Sequence, residues 1–544
     1  MSSPARSQLS GRRAWLPPIA VVAAGAAGSI VLAAWSPLAA SDPLRGVVTA
    51  LPLVIALLGA AGGLALPSRE PSGGDRALAS ELMLLSVWIA AVFARPLLGL
   101  AGVDRALAVA LVLLLGTHLA RRLVAIGRSL PALDASAVPP AATPMLGPRL
   151  FLFALAFYTA VLPWSTSQRP PDGDEPWYLL TAHSLAQDFD TDLADDYRDR
   201  ESLRFLDRAI EPQPGDPVGP SGEIYSRHAP FLPILLAPFY AAAGKHGALF
   251  AMAMLTAATL AAWWPLARGI WPDRPRELLA QWSVLALLPP FLVYSHQLWV
   301  EVPAALMVTL AALSIQRLSH RQRRMDWVVL AATLLALPAL KLRFGLLSAS
   351  LLALAFVRLA RHRRRLLVVG AVGVVVGAGL LLYNRHLFGN ALRIHEWQEL
   401  LLYRYPASDY VSHFVGLFFD LAFGLFAAAP IWMLLLPGVV RTLRSDRALR
   451  LGQDLAIVCL PYLILVASRR EWFGGWSPPF RYPLALLPLL ALLAVPAWSD
   501  LRHSRARAVT AMLALASLGL VVGYVAAPGL TYSFADGRSR LLDS

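Results

Sequence analysis

Residues 150–178 read LFLFALAFYTAVLPWSTSQRPPDGDEPWY, an apolar run followed by a short acidic segment. The apolar run, over 149–167, has about the length that crosses a bilayer as a helix, roughly 20 residues. Asp172, Asp174 and Glu175 follow it closely, and Pro176 suits the first turn of a second helix that we expect to continue through Leu185. The stretch therefore predicts a membrane span that leads directly into a cluster of carboxylates.

Apolar runs of similar length recur along the chain. Of its 544 residues, 57% are hydrophobic and 15% are charged, a composition that a water-soluble fold cannot bury in one core. The single cysteine, Cys459, excludes an intrachain disulfide. We predict an all-α polytopic membrane protein with about eleven core spans, at 149–167, 247–268, 278–295, 299–316, 327–341, 344–358, 366–384, 416–440, 452–468, 482–499 and 508–526.

Four further apolar runs precede this core. The predicted domains are an N-terminal four-helix membrane extension (1–130), a Pro/Ala-rich linker (131–148), the transmembrane core (149–527) and a short external C-terminal tail (528–544).

The charges are divided unequally between the connecting segments. The net charge is +14, yet residues 168–228 hold 14 acidic side chains against six arginines. Elsewhere the arginines form short clusters between apolar runs, which indicates that they set topology by the positive-inside rule and do not bind nucleic acid. Their alternation places the acidic and juxtamembrane loop 168–246 outside the cytoplasm, provided that the apolar stretch 229–244 does not itself cross the membrane.

Asp174 is the strongest candidate for chemistry, because it would lie at the mouth of a helix bundle on the exported face. The alternative is a helix cap, since aspartate commonly precedes the first helical turn. Asp188, Asp190 and Asp192 have the spacing of a calcium loop, but Leu193 stands where that motif requires glycine. The histidines lack the paired spacing of a zinc site, and interfacial roles are the default for them.

Charged residues also interrupt the apolar runs. Glu301 lies three residues into a predicted span, and Lys341 and Arg343 separate two others. A charge at the centre of a span costs about 2.5–3.5 kcal/mol, so such residues usually face a cavity or each other; the alternative is that they reach the interface. Arg469 and Arg481 lie in a segment predicted outside, where arginine is unusual, and a phosphate is the natural partner of a guanidinium.

In their order along the chain these pieces resemble the GT-C superfamily of polyprenyl-phosphate-sugar-dependent glycosyltransferases, in particular its bacterial branch related to aminoarabinose transferases and protein O-mannosyltransferases. The resemblance covers roughly residues 147–527. The motifs that carry it are Gly173-Asp174-Glu175-Pro176, Arg227-His228-Ala229-Pro230, Glu301-Val302-Pro303, Lys341-Leu342-Arg343 and the segment from Trp472 to Arg481. In the second motif, histidine stands where the family has lysine.

The resemblance implies a GT-C-like bundle with a large external loop after the first core helix. It implies an inverting glycosyltransferase of the bacterial inner membrane, facing the periplasm or exterior, which moves a sugar from polyprenyl phosphate to a hydroxyl of an envelope lipid, glycan or protein. The implied catalytic residues are Asp174, Glu175 and Glu301. Asp174 would be the base, and Glu175 and Glu301 would orient the acceptor or the base. The implied substrate-binding residues, whose basic members meet the donor phosphate, are Asp172, Tyr178, His228, Lys341, Arg343, Trp476 and Arg481.

No cofactor is implied, because fixed cations can neutralise one donor phosphate without a metal. The spacing of Asp172 and Asp174 is nevertheless that of a divalent-ion pair. Two other classes of function stay open beside the enzyme: a transporter or flippase for a lipid-linked sugar, and a non-catalytic envelope assembly protein. The transporter predicts inverted repeats and broken helices, and the sequence shows no repeat of fixed period; the retained Asp174 argues against the assembly protein.

Overall fold

The computed structural model describes residues 146–389, 391, 406–444, 446–469, 471–502 and 504–526. Within them the chain is helical, apart from loops and two isolated β-bridges. Six of the described helices are long and apolar enough to cross a membrane, which confirms the predicted all-α polytopic fold for this part of the chain. The predicted N-terminal extension, most of the linker and the C-terminal tail lie outside the described residues.

The helices are numbered here in chain order over the described residues. The α-helices are α1 Leu146–Gln168, α2 Glu175–Gln187, α3 Ala194–Arg198, α4 Phe231–Ile270, α5 Pro275–Leu287, α6 Phe291–Tyr294, α7 Glu301–His320, α8 Arg324–Leu340, α9 Phe344–Arg358, α10 Arg363–Phe388, α11 Ala407–Phe419, α12 Leu425–Ala428, α13 Leu435–Leu443, α14 Asp446–Ala467, α15 Leu487–Ala494 and α16 Ser504–Ala526. The 3₁₀ helices are Glu201–Arg204, Ala360–His362, Pro430–Leu434, Tyr482–Leu486 and Val495–Arg502.

The acidic loop, residues 169–230, connects α1 to α4 and contains α2 and α3. After it, α4 is interrupted at Ala243 and Gly244, where Gly244 has φ +55°, a conformation that glycine adopts without a steric penalty. The part before the break contains Pro238 and packs on the loop, since the Tyr240 ring meets His183 of α2 edge-on at 5.6 Å between centroids. The break thus separates the apolar stretch 229–244 from the helical segment that follows.

Buried tryptophans tie distant helices together in the core. An indole N–H that is buried usually finds an acceptor, and here Trp263 of α4 donates to the carbonyl of Pro488 at 2.7 Å while Trp271 donates to that of Leu492 at 3.2 Å. Trp432 donates to the carbonyl of Pro289 at 2.9 Å. These bonds fix α15 and the segment after α12 against the first half of the core.

The predicted span 416–440 is wrong. The helix α11 ends at Phe419, because the Asp420 carboxylate accepts the backbone amides of Ala422 at 2.8 Å and Phe423 at 2.9 Å and so closes a turn. The chain then continues as α12, a 3₁₀ helix and α13. The sequence remains apolar through the turn. A prediction from composition alone therefore gave one long helix where the fold has several short ones.

Candidate active site

Asp174 immediately precedes α2, yet its side chain makes no capping bond to that helix. Its Oδ2 instead accepts a hydrogen bond from Nη2 of Arg481 at 2.5 Å, across 307 residues of sequence. The Asp174 side chain is 23% exposed and that of Arg481 only 6%. The Asp174 carboxylate therefore does not act as a helix cap. It pairs with the buried Arg481 guanidinium and is itself partly exposed.

The charge state of Asp174 is set by its neighbours. Burial alone would raise the pKa of this carboxyl, but the positive charges of Arg481, His228 and Lys341 hold the pKa well below its usual range. The carboxylate is consequently ionised throughout the physiological pH range. The same three basic residues, each singled out from the sequence, therefore surround one carboxylate.

Glu301 extends this ion pair inward. Its Oε1 accepts a hydrogen bond from Nη2 of Arg343 and lies 3.5 Å from Nε of Arg481, so one carboxylate oxygen contacts two guanidinium groups. All three side chains are buried. Glu301 begins α7, where the helix dipole favours a negative charge. Glu301, Arg343 and Arg481 thus form one buried charge network.

Three arginines surround the ring of Tyr482. The guanidinium carbons of Arg343, Arg469 and Arg481 lie 4.4, 5.2 and 5.4 Å from its centroid. The guanidinium of Arg481 also stacks on Trp299, at 3.8 Å from the ring centroid. Aromatic faces hold guanidinium groups in place while leaving their in-plane N–H groups directed outward. We call Arg343, Arg469 and Arg481 the arginine cluster; its chemistry suits a phosphate.

The loop that carries Asp174 packs closely on the segment before Arg481. Asp172 accepts a hydrogen bond from Nε1 of Trp476 at 2.9 Å through Oδ2 and from the Gly173 amide at 2.9 Å through Oδ1. Gly173 has φ +61°, and a Cβ there would lie 2.7 Å from the Trp476 carbonyl oxygen and 2.8 Å from Trp299. Only glycine fits at this position.

The carboxylates of Asp172 and Asp174 have different partners, the indole of Trp476 and the guanidinium of Arg481. Among the described residues, no group of three or more His, Cys, Asp or Glu side chains is placed to hold a metal ion. In the calcium-like stretch, Asp190 accepts from Ser184 Oγ at 3.1 Å, and Asp192 accepts from the amides of Ala194 at 3.0 Å and Ile224 at 2.8 Å. These carboxylates hold the acidic loop together.

Glu175 is fully buried, with both oxygens occupied by protein groups. Arg169 donates to them at 2.7 and 3.1 Å, the Asp172 amide donates at 3.0 Å and the Leu298 amide at 2.8 Å. Leu298 lies three residues before Glu301. Glu175 therefore joins the Asp174 loop to the segment that carries Glu301.

Tyr178 and His228 lie on the acidic-loop side of Asp174. Tyr178 is buried, with its ring centroid 5.1 Å from that of His228. His228 in turn shares a hydrogen bond of 2.9 Å between Nε2 and the Gln213 side-chain oxygen. Lys341, which directly follows α8, is half-buried. The structure thus brings every sequence-predicted site residue into one region around the Asp174–Arg481 pair.

Sequence reasoning assigned no role to Arg169, Trp299 or Tyr482. Each is adjacent to a predicted feature: Arg169 follows α1, Trp299 lies two residues before Glu301, and Tyr482 follows Arg481. Their contacts join segments far apart in the chain, so the only sequence signal was this proximity to charged positions.

No protein-family model matches the chain, and no curated protein matches its sequence. Among solved structures, the chain is similar to ArnT from Cupriavidus metallidurans bound to undecaprenyl phosphate, with 18% identity and a TM-score of 0.47 over 70% of this chain. The apo state of ArnT gives 17% identity and a TM-score of 0.44.

An oligosaccharyltransferase from Archaeoglobus fulgidus is similar over 73% of this chain and 57% of its own length, with 13% identity and a TM-score of 0.44. The chain spans 65% of the length of ArnT, just under two-thirds.

Proposed function

We propose that this protein is a GT-C-type membrane glycosyltransferase that transfers a sugar from a polyprenyl-phosphate donor to an acceptor hydroxyl, with inversion. The observation that carries the proposal is the Asp174–Arg481 pair, an ionised carboxylate at the exposed edge of the buried arginine cluster. A base for the acceptor and a cation for the leaving phosphate are the two groups that this reaction requires, and here they are in direct contact.

The arginine cluster suits the leaving group. When the bond between the anomeric carbon and the phosphate oxygen breaks, its electron pair remains on the phosphate, which is already a stable anion and needs charge neutralisation more than a proton. A guanidinium group can bind a phosphate through two parallel N–H···O hydrogen bonds. We assign Arg343 and Arg481 to this phosphate, with Lys341 and His228 at its margin and no metal ion required.

Asp174 suits the acceptor. As the acceptor oxygen bonds to the anomeric carbon from the face opposite the phosphate, its proton passes to the Asp174 carboxylate. Paired with Arg481, this carboxylate is a weak base; a phosphate bound to Arg481 would neutralise the charge that lowers its pKa. Donor binding therefore strengthens the base.

The remaining predicted residues frame the reacting groups. Trp476, 36% exposed and bonded to Asp172, offers an aromatic face for a sugar ring. Glu301 and Glu175 act as positioning residues for Arg481 and the Asp174 loop. The acidic loop would cover the acceptor on the outer face of a bacterial inner membrane, where the acceptor is an envelope lipid, glycan or protein.

The proposal is tested with protein reconstituted in liposomes, a labelled polyprenyl-phosphate sugar and an envelope extract as acceptor. We expect Asp174→Asn to lower turnover by about 10²- to 10⁴-fold, the usual contribution of a general base. The matched control is Asp207→Asn, an exposed aspartate of the same acidic loop, which should leave turnover unchanged. Unchanged turnover in Asp174→Asn would contradict the assignment.

A second readout separates the enzyme from a transporter. Wild-type protein that moves labelled donor between bilayer leaflets, with no transfer to any acceptor fraction, would identify a lipid-linked sugar flippase and exclude the transferase.

A further inference from the structure

The end of the bundle opposite the candidate active site carries a concentration of positive charge. The helix α7 runs from Glu301 in the site to His320, 20 residues or about 30 Å away. Exposed arginines lie beyond its end, from the connection to α8 through the first residue of α8, and from the 3₁₀ helix Ala360–His362 into the first turn of α10. These residues, which we call the basic patch, are Arg321, Arg323, Arg324, Arg361, Arg363, Arg364 and Arg365.

Trp327 joins the two runs of arginines. The guanidinium carbon of Arg365 lies 5.5 Å from the centroid of its ring, and the His362 ring meets it edge-on at 5.8 Å. Its Nε1 donates to the Gln322 side-chain oxygen at 3.1 Å. The connection after α7 and the start of α10 therefore form one surface, although nearly forty residues separate them in sequence.

The acidic residues nearest this surface are already paired. Asp326 is buried and lies 3.7 Å from Arg317, and Asp454 lies 2.7 Å from Arg358. In the part of the chain that the structure describes, no guanidinium group of the basic patch makes a hydrogen bond or ion pair with a protein group. Arg441 differs, because it donates to the Pro496 carbonyl at 2.8 Å and to Ser499 at 3.2 Å.

The basic patch borders a lipid-facing helix. Only 6% of the most apolar stretch of α10 is buried. Leu367 and Val368, just after the patch, are 61% and 63% exposed. A phospholipid whose chains lie along α10 would place its headgroup phosphate among the arginines. Basic surfaces at the ends of transmembrane helices attract anionic headgroups in this way.

We propose that the basic patch is a binding site for the headgroup of an anionic phospholipid. The positive-inside rule explains why arginines lie on one side of the membrane. It does not explain why two runs of arginines, which have no acidic partners among the described residues, converge on one tryptophan beside an exposed helix. The proposal is independent of the glycosyltransferase assignment, because the patch lies at the other end of α7.

The test uses full-length protein stripped of lipid in detergent, tetraoleoyl cardiolipin as the probe and native mass spectrometry as the readout. We expect the combined substitution of Arg361, Arg363, Arg364 and Arg365 by Gln to reduce the cardiolipin-bound fraction at least about five-fold, while the same four positions changed to Lys retain most of it. The matched control is Arg505→Gln with Arg507→Gln, exposed arginines at the start of α16. Equal loss in this control, or no loss in the patch variant, would overturn the proposal.

A measurement on the wild-type protein covers the case in which the Gln variant fails to fold. In nanodiscs of mixed phosphatidylcholine and cardiolipin, lipid retained after extraction should be enriched in cardiolipin. The enrichment should fall steeply between 50 and 500 mM salt, because the interaction is between charges near the surface. The screening length is about 14 Å at the lower salt concentration and about 4 Å at the higher. Retained lipid with the composition of the nanodisc at both salt concentrations would contradict a headgroup site.

Discussion

At the scale of the residue, the site consists of charges that would be costly to bury separately. Glu301 is fully buried and Arg343 and Arg481 nearly so, and removing one partner of such a pair typically destabilises a protein by about 3–5 kcal/mol. In the same arrangement, the charge of Arg481 lowers the pKa of Asp174. A donor phosphate that binds Arg481 would therefore change the strength of the base. We therefore propose that this network contributes to catalysis as well as to stability.

Gly173 gives a prediction at this scale. Gly173→Ala should lower transfer at least about ten-fold and destabilise the protein by about 1–3 kcal/mol, because alanine is strained at φ +61° and its methyl group would overlap the Trp476 carbonyl and Trp299. Turnover and thermal unfolding in detergent measure both effects. The control is Gly389→Ala, at φ +69°, where no atom of the described residues lies within 4 Å of the added Cβ, so that it brings strain without overlap. Equal effects of the two substitutions on transfer would show that close packing at Gly173 is unimportant.

At the scale of the element, the Arg169–Glu175 pair connects the end of α1, the start of α2 and the segment before α7. We predict that Glu175→Leu costs about 3–5 kcal/mol, since the buried Arg169 loses its carboxylate, and that adding Arg169→Leu recovers part of the loss. A double-mutant cycle of unfolding free energies measures the coupling.

The Arg358–Asp454 pair is the control for this cycle, because both side chains are partly exposed, at 32% and 25%. Its coupling should stay below about 1 kcal/mol. A coupling of the Arg169–Glu175 pair no larger than that of the control would mean that the pair does not hold these elements together.

The acidic loop should respond to pH through Asp196. This carboxyl is 3% exposed, and burial, with the charges of neighbouring carboxylates such as Asp195 and Asp188, raises its pKa to about 8. Because the pKa is raised in the folded state, the neutral form of this carboxyl stabilises the fold. That contribution is complete below the unfolded pKa of about 4 and is lost as the pH rises through the folded pKa of about 8. Amide hydrogen exchange around α3, corrected for intrinsic rates, should therefore increase from pH 5 to 8 in the wild type.

Asp196→Asn should stay protected across that range, because its side chain remains neutral. Asp199→Asn, at an exposed aspartate of the same loop, should keep the wild-type pH dependence. An Asp196→Asn variant with the wild-type pH response would exclude this carboxyl as the cause.

Much of the architecture could be predicted at this scale, because helices in a membrane show their length in the sequence. The predicted span 344–358 coincides with α9, and 149–167 differs from α1 by a few residues. The turn at Asp420 could not be predicted, since it depends on two side-chain hydrogen bonds within an apolar stretch. The stacking of Arg481 on Trp299 likewise depends on tertiary packing. The arginine clusters, by contrast, predicted that the acidic and basic positions would lie on the same side of the membrane.

At the scale of the whole molecule, the account requires the acidic loop and the basic patch to lie on opposite sides of the membrane. Introduced cysteines test this, since the only native cysteine, Cys459, is buried. In intact cells a membrane-impermeant maleimide should label a Ser221→Cys variant, in the acidic loop, and should label Ser319→Cys, at the end of α7, only after permeabilisation. The reverse pattern would place the candidate active site in the cytoplasm and contradict the proposed location.

The most direct test of the central claim is the position of a bound polyprenyl phosphate in an experimentally determined structure of the complex. We predict that its phosphate oxygens accept hydrogen bonds, at about 2.7–3.2 Å, from Arg481 and from at least one other member of the arginine cluster, with Asp174 beside the phosphate. A polyprenyl phosphate bound with its phosphate outside the arginine cluster and remote from Asp174 would contradict the account.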